Sequence, residues 1–328
     1  MRAPRGRRGR RLRARGRRPR QRARRARRRR PAAHRGRRRP RDVVRAVILA
    51  AGREGDLEPL TADIPAAMVP VLDRPVMAHT VGLLRRAGVE EIVAVLRRHP
   101  QAVRRHFGAE LGYEIEPRPL GTAGTVLAVR HHLGAEPFLV LSGQMLTDLD
   151  VAALLDTHRA GGALATTWAG RDIHVLEPAV LDHVPADRAA DWEADVFPAL
   201  GERVRAVEVP GYSLALDSVA RVREGAFDLL EGRVRLPVTG EEVAPGLMLG
   251  EGSSLDGIAM IEPPVWIGDD VQIGEHAHLK GPLVIGHGAT IGDGAQLRGS
   301  VILPESTVPR ETLLVGGVAG PSRTQGRA

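Results

Sequence analysis

Val47-Ile48-Leu49-Ala50-Ala51-Gly52-Arg53-Glu54-Gly55-Asp56-Leu57-Glu58-Pro59-Leu60-Thr61 is the stretch of this chain that decides its fold. The apolar run at residues 43–50 hardly alternates with polar residues, which is typical of a strand buried on both faces of a parallel sheet. The small residues that follow it predict a tight turn at the carboxyl end of this strand. Ligands of open α/β sheets bind at that edge, so the turn is a candidate site.

The residues that follow alternate between helix and strand patterns. Apolar periodicity and glycine stops predict helices over residues 75–87, 99–107, 121–133 and 151–160, and strands over residues 91–96 and 137–141. This alternation predicts a doubly wound, Rossmann-like α/β sheet with right-handed crossovers. Gln144 follows the strand at 137–141, so we expect it at the same edge of the sheet as Gly52.

The C-terminal part has a repeat of six residues. Aliphatic side chains recur at Val243, Leu249, Leu255, Ile261, Ile267, Ile273, Leu279, Ile285, Ile291, Leu297 and Leu303. Hexapeptide spacing of this kind predicts a left-handed parallel β-helix, with three hexapeptides in each triangular coil and the aliphatic residues inside. The coil histidines His276, His278 and His287 are then expected to face solvent. Because such coils leave an open end, association through that end or along a face is expected.

Composition limits the classes of function. The 328 residues are enough for two domains with a core, and the absence of cysteine excludes disulfides and thiol chemistry. The chain has no apolar run near the roughly 18 residues of a membrane span. It also lacks the pattern of a signal peptide. A cytoplasmic protein with no membrane partner is therefore the expectation.

The net charge of +9 comes from the first 45 residues, which hold 24 arginines and one acidic residue, Asp42. The remainder has 24 basic and 38 acidic residues, a net charge of −14. An Arg-, Pro- and Gly-rich tract is predicted to be disordered. It would be a nucleic-acid or polyphosphate arm, a transit peptide, or translated upstream sequence with the true start at Val43 or Val44. The last is favoured, and nucleic-acid binding is not expected because the tract has no aromatic residues for base stacking.

The predicted organisation is an extension at 1–42, an α/β domain at 43–235, a β-helix at 243–318 and a disordered tail at 319–328.

The opening stretch aligns without a gap with V-I-L-A-G-G-x-G-T-R-L-x-P-L-T, which precedes a P-K-P. That signature belongs to sugar-phosphate nucleotidyltransferases (NDP-sugar pyrophosphorylases), and the chain resembles their mannose-1-phosphate guanylyltransferase-like members over about residues 45–232 and the repeats beyond. Pro119-Leu120-Gly121-Thr122-Ala123-Gly124 matches their P-L-G-T-A-G, which packs near the nucleotide base. The resemblance implies nucleotidyl transfer to a sugar 1-phosphate with Mg²⁺, in NDP-sugar and polysaccharide biosynthesis. The nucleotide-binding positions that it implies are Leu49, Ala50, Ala51, Gly52, Gly121, Thr122 and Ala123.

The charged groups of that family are replaced here. Its signature arginine falls on Asp56 and its P-K-P lysine on Ala66, while its two metal-binding aspartates fall on Gln144 and Ala215. One unit-charge pair at about 4 Å is worth about 4 kcal/mol at an effective dielectric constant near 20, so exchanging the arginine for aspartate is severe. The family's sugar-binding middle stretch, with its Y-G and E-K-P motifs, is also missing several dozen residues here.

Other residues could replace the missing groups. Arg53 is a substitute cation for phosphate, although a solvated loop arginine is the favoured interpretation. Asp148 and Asp150 are possible metal ligands, although capping of the helix at 151 is favoured. The acidic group Asp191, Glu193 and Asp195 is interpreted as helix capping, and His131 and His132 as cations at a helix C-terminus.

Three hypotheses follow for function. The first is a catalytically degraded paralogue, or pseudoenzyme, with an NTP or NDP-sugar as its possible ligand. It would serve as a regulatory or structural partner in a homo-oligomer or in a hetero-oligomer with an active homologue. The second is an active, rewired nucleotidyltransferase that uses Mg²⁺. The third is a basic-armed binder of nucleic acid or an acidic polymer.

Overall fold

The computed structural model describes residues 44–52, 57–255 and 259–320. The predicted N-terminal extension lies outside these residues, as do Arg53, Asp56 and the tail from residue 321. Within the described residues, no helix combines the length and the apolar character that crossing a bilayer requires.

The first part of the described chain is an α/β structure. Its strands are β1 (Arg45–Ala50), β2 (Pro70–Val71), β3 (Arg74–Pro75), β4 (Glu91–Leu96), β5 (Gly112–Ile115), β6 (Phe138–Ser142), β7 (Met145–Thr147), β8 (Ala165–Trp168), β9 (Ile173–Leu176), β10 (Val204–Val207) and β11 (Ser213–Ala215). Its helices are α1 (Val76–Arg86), α2 (Pro100–Phe107), α3 (Gly121–Ala128), α4 (Val151–Gly161), α5 (Phe197–Leu200) and α6 (Val219–Leu230). A short 3₁₀ turn at Arg130–His132 follows α3, so the single helix predicted over 121–133 is wrong in its last turn.

The main sheet has the strand order β10-β8-β9-β6-β1-β4-β5. Strands β6, β1, β4 and β5 are parallel, and β9 runs antiparallel to both β6 and β8. Strand β1 lies inside the sheet between β6 and β4, and its consecutive residues Val47 and Ile48 are fully buried in different cores on the two faces of the sheet. The α/β prediction from the apolar run is confirmed.

The second part consists of short strands in three sheets. These are β12 (Glu241–Ala244), β13 (Leu247–Leu249), β14 (Ser254–Leu255), β15 (Met260–Glu262), β16 (Val265–Ile267), β17 (Gln272–Ile273), β18 (His278–Lys280), β19 (Leu283–Ile285), β20 (Thr290–Ile291), β21 (Gln296–Arg298), β22 (Val301–Ile302), β23 (Thr307–Val308), β24 (Leu313–Val315) and β25 (Val318–Ala319). From β13 onward each strand pairs in parallel with the third strand after it. Three strands therefore make one turn of the repeat, and β25 extends one residue into the predicted tail.

The hexapeptide phase holds over most of the repeat and fails at both ends. Val243 is 49% exposed rather than inside. Partner residues are 18 positions apart up to β21 but 17 apart afterwards, as in the pair Ile285 and Ile302. The missing residue moves Ile302 into the repeat interior, whereas Leu303, the predicted interior residue, packs in a different core.

One face of the repeat packs directly on the α/β part. An outward-facing row crosses five paired strands and consists of Met248, Trp266, Val284, Val301 and Val318. We call this row the apolar ladder. It packs in one core with Val222, Ala226 and Leu229 of α6. Trp266 is the largest of these side chains, is 1% exposed, and donates its Nε1–H to the Thr239 carbonyl at 2.9 Å.

Trp266→Ala should lower the free energy of unfolding by about 3–5 kcal/mol, because it opens a large cavity in this shared core. Chemical denaturation measures the change. Met260→Ala is a control on an exposed strand position, 59% exposed, and should stay within about 0.5 kcal/mol of the wild type. Equal effects of the two substitutions would contradict the packing of the ladder on α6.

Candidate functional site

A cavity of about 530 Å³ opens at the carboxyl ends of the parallel strands. Five of the predicted nucleotide-binding residues line it, namely Leu49, Ala51, Gly52, Gly121 and Thr122. The other two, Ala50 and Ala123, are buried in the cores beneath. The structure thus brings together the turn after β1 and the turn before α3, which lie about seventy residues apart in the chain.

Gln144 lies in this cavity, against the turn after β1. A Cβ atom on Gly52 would come within 3.0 Å of Nε2 of Gln144, so only glycine fits beside this side chain without a shift. Gly143, which precedes Gln144, is also tightly packed. A Cβ atom added to it would lie 3.2–3.3 Å from the side chains of Ile48, Ala50 and Ala67. The amide group of Gln144 therefore occupies the narrow space at the start of the loop.

Ala215 is a direct neighbour of Gln144. It pairs with Met145 where β11 runs antiparallel to β7, and the next residue, Leu216, donates its N–H to the Gln144 carbonyl at 2.9 Å. The two positions to which the resemblance assigns metal-binding aspartates are thus close along the backbone, because Gln144 directly precedes β7 and Ala215 lies in the paired strand β11. Their side chains are one amide and one methyl group. Mg²⁺ is held in proteins through carboxylates, so this donor pair does not fit the ion.

Ala66, the position of the expected lysine, is buried. It begins a short 3₁₀ turn at Ala66–Met68, is 1% exposed, and packs in the core that also contains Leu57 and the apolar ladder. The position of the expected lysine therefore contributes to packing and supplies no charge to the cavity.

An ion pair that sequence reasoning missed connects the two turns of the cavity. Arg97, directly after β4, donates Nε to the Ala51 carbonyl and Nη2 to the Gly52 carbonyl, both at 3.1 Å. Its Nε also lies 3.9 Å from Oε2 of Glu116, a buried residue that directly follows β5. The available signal was the position of both residues at the carboxyl ends of parallel strands.

Glu116 in turn holds the start of α3. Its Oε1 accepts hydrogen bonds from the backbone N–H of Leu120 at 3.0 Å and from the hydroxyl of Thr125 at 2.5 Å. The carboxylate is therefore used for positioning, and the Arg97 guanidinium is largely committed to backbone carbonyls. Glu116 therefore does not replace the aspartate that the resemblance expects at Gln144, and Arg97 does not replace the lysine that it expects at Ala66.

The opposite wall of the cavity is acidic. Asp172 and Asp191 both line it, and burial together with the charge of Asp191 raises the pKa of Asp172. Burial raises the pKa of the neighbouring Glu193 as well, helped by Asp172 and Asp191. Phosphate oxygens placed here would be repelled by carboxylates, which is the reverse of a triphosphate site.

The predicted capping role of Asp191 is wrong. Asp191 precedes the π-helical turn Trp192–Val196, but its side chain makes no capping bond there. Its Oδ1 instead accepts the backbone N–H of Thr122 at 2.7 Å, and the Thr122 hydroxyl accepts from the N–H of Trp192 at 3.1 Å. These contacts fasten the acidic wall to the turn before α3.

Asp148 and Asp150 have structural partners. Asp150 caps α4 by accepting the N–H of Ala153 at 2.9 Å, as favoured from the sequence. Asp148 accepts the N–H of Tyr212 at 2.6 Å and that of Arg235 at 2.8 Å. The geometry thus assigns both carboxylates to backbone groups, and the alternative of a metal pair stays unsupported.

The coil histidines differ from expectation at one position. His276 is exposed and His278 bonds Glu262 at 2.7 Å, but His287 lies against the α/β part. Its Nδ1 accepts the N–H of Asp269 at 2.8 Å and its Nε2 donates to the carbonyl of Asp73 at 3.2 Å. Its ring also packs edge-on against Trp266, so the solvent-facing prediction for His287 is wrong.

His174 of β9 lies beneath the acidic wall. It is 2% exposed, packs against Phe197 and Trp192, and its Nε2 is 3.5 Å from Oε1 of Glu193. Burial lowers its pKa to about 4, because this environment disfavours the charged imidazole. The histidine is therefore neutral in the folded protein near neutral pH.

The free energy of unfolding should fall on acidification in a way that depends on His174. Between the ordinary pKa of histidine, about 6.5, and about 4, the unfolded state binds a proton that the folded state does not. This stabilisation is complete above pH 6.5 and should shrink by about 2 kcal/mol between about pH 7 and about pH 5. Chemical denaturation at several pH values should show that the free energy of unfolding of His174→Gln falls less steeply with acidification than that of the wild type. The exposed control His183→Gln should show the same pH dependence as the wild type. A wild-type slope in His174→Gln would contradict this account.

Comparison with known proteins finds similar sequences. Residues 45–174 match the family model described as nucleotidyl transferase. The UTP–glucose-1-phosphate uridylyltransferase of Synechocystis sp. is 26% identical over 293 residues, covering 69% of this chain and 74% of the relative. The mannose-1-phosphate guanylyltransferase of Mycobacterium tuberculosis is 28% identical over 198 residues, covering 48% of this chain and 55% of the relative.

Solved structures share the fold. A putative glucose-1-phosphate thymidylyltransferase from Bacillus anthracis has a TM-score of 0.54 at 15% identity, covering 61% of this chain and 98% of that one. HddC from Yersinia pseudotuberculosis, solved in complex with GMP-PN, has a TM-score of 0.50 at 17% identity, covering 57% of this chain and 99% of that one.

Proposed function

We propose that this chain, whose residues 45–174 match the nucleotidyl transferase family model, is a catalytically degraded sugar-nucleotidyltransferase that acts as a regulatory or structural partner of an active homologue. One observation carries the proposal. Gln144, directly before β7, and Ala215, in the paired strand β11, stand where the family resemblance calls for two metal-binding carboxylates. The backbone that would present a metal site is kept, but its ligands are gone.

The electrostatics of the cavity support loss of catalysis. Transfer of a nucleotidyl group depends on cations that offset the charge of the phosphates, and on their fixed placement. Among the described lining residues the one basic side chain, Arg97, bonds two backbone carbonyls, while Glu116, Asp172 and Asp191 are acidic. These carboxylates would therefore repel the negatively charged phosphates of a nucleoside triphosphate.

The cavity keeps the parts that are suited to the uncharged portion of a ligand. The turn before α3 is held from two sides, by Glu116 on Leu120 and by Asp191 on Thr122. The family resemblance places the nucleotide base against this turn. Weak binding of an NTP or NDP-sugar through its base and sugar is the ligand interaction that we propose.

The C-terminal repeat carries the surface through which we propose that the chain binds another subunit. We infer that its three parallel sheets form a left-handed β-helix, which is supported by the register of 17 or 18 residues between paired strands. Its last coil presents exposed apolar side chains at Leu313 and Val315, which are 70% and 62% exposed. Such a coil end is the proposed contact in a homo-oligomer, or in a hetero-oligomer with an active homologue.

The full chain should release no pyrophosphate above background with Mg²⁺, nucleoside triphosphates and hexose 1-phosphates. The Mycobacterium tuberculosis guanylyltransferase, named above, is the active control. We expect a rate at least about a thousandfold below it, because loss of a single preorganised charge-stabilising group already costs 10²–10³ in rate. Turnover comparable with the control would overturn the proposal in favour of the active, rewired enzyme.

Restoring both carboxylates should create a metal site. Gln144→Asp with Ala215→Asp places two carboxylates on paired strands, so the double variant should bind one Mn²⁺ that the wild type does not. Electron paramagnetic resonance of free Mn²⁺ measures the difference. The matched control, Gln144→Asn with Ala215→Asn, has the same shape without the charge and should bind none. Equal binding by the Asp and Asn pairs would show that the two positions do not converge on one ion.

A further inference from the structure

A cluster of two histidines and a glutamate lies on the edge of the main sheet, outside the cavity. His131 and His132 belong to the 3₁₀ turn after α3, and Glu114 belongs to the edge strand β5. Nε2 of His131 is 3.2 Å and Nε2 of His132 is 2.9 Å from the same carboxylate oxygen, Oε1 of Glu114. Within the part of the chain that the structure describes, this is the one group of three or more His, Cys, Asp or Glu residues whose ligand atoms all lie within 4.8 Å of one another.

The nitrogens of both histidines converge on one oxygen, Oε1 of Glu114. The two imidazole rings are neighbours in sequence, and their centroids are only 4.2 Å apart. A cation at the meeting point of the three atoms would replace both hydrogen bonds.

We propose that Glu114, His131 and His132 form a binding site for a divalent transition-metal ion of the Zn²⁺ class. Two imidazole nitrogens and one carboxylate oxygen are a donor set that suits Zn²⁺ and disfavours Mg²⁺. Tetrahedral ligands at about 2.0–2.1 Å from Zn²⁺ lie roughly 3.3 Å apart, which these three atoms reach with small side-chain rotations. The three side chains are 38%, 63% and 32% exposed, so water can complete the coordination.

Metal binding would connect this edge of the sheet to the cavity. Glu114 and Glu116 are two residues apart, Glu114 within β5 and Glu116 directly after it, and each holds one end of the α3 segment. Glu116 bonds Leu120 and Thr125 at its start, and Glu114 contacts the histidine turn at its end. An ion at Glu114 would therefore fix the far end of the segment that supplies the turn at residues 121–123.

Isothermal titration of the untagged full chain with Zn²⁺ tests the site. The wild type should bind one more equivalent than the triple variant Glu114→Gln, His131→Asn and His132→Asn. Each single substitution should weaken that equivalent by more than about tenfold, because even loss of an outer-shell partner costs 10–100-fold in metal affinity. The exposed control His183→Asn should bind as the wild type does.

Electron paramagnetic resonance of the Cu²⁺-loaded protein provides an independent readout. The wild-type spectrum should show coupling to two nitrogen ligands, and each single histidine variant should lose one. Circular dichroism verifies that the variants are folded, which we expect because the three side chains are on the surface. Equal Zn²⁺ stoichiometry and affinity in the wild type and the triple variant, or no Zn²⁺ binding by the wild type, would overturn the proposal.

Discussion

The burial of β1 on both faces of the sheet is the constraint on which the rest of the molecule depends. Val47 and Ile48 extend into different cores, so the strand can neither slide nor rotate without exposing apolar surface on both sides. Its fixed carboxyl end places Gly52 against Gln144 and gives Arg97 two carbonyls to bind. The cavity, its two turns and its acidic wall are all built around that fixed end.

The framework of the cavity does not depend on most of the positions at which the family resemblance expects charged groups. Gln144 lines the cavity and Ala215 is exposed, so a change of side chain at either position alters charge with little effect on core packing. Ala66 is the exception, since its methyl group is part of a core. The residues that keep the turns in place, Arg97 and Glu116, are a separate set. A fold of this kind tolerates removal of its chemistry at little cost in stability.

Much of this arrangement could be predicted from the sequence. The apolar run, the glycine turn and the six-residue period identify the α/β sheet and the stacked strands, because burial periodicity is a local property of the chain. The family resemblance also identified Gln144 and Ala215 as the positions of its two metal-binding aspartates. Arg97 and Glu116 were missed because their meeting depends on strand order, which local patterns do not encode. The shift from Leu303 to Ile302 was missed because one deleted residue leaves both positions aliphatic. His287 was misplaced because nothing in the repeat indicates which of its faces is covered.

The apolar ladder has a consequence for how the chain evolves and unfolds. Since Trp266, Val284 and Val301 share a core with α6, neither part has a complete interior without the other. The described α/β part and the stacked strands should therefore melt in one cooperative transition rather than as two independent modules. The same dependence restricts recombination: a gene fusion or truncation that removed the repeats would uncover an apolar strip on α6. The repeats are thus retained by the stability requirement of their neighbour, independently of any chemistry at the cavity.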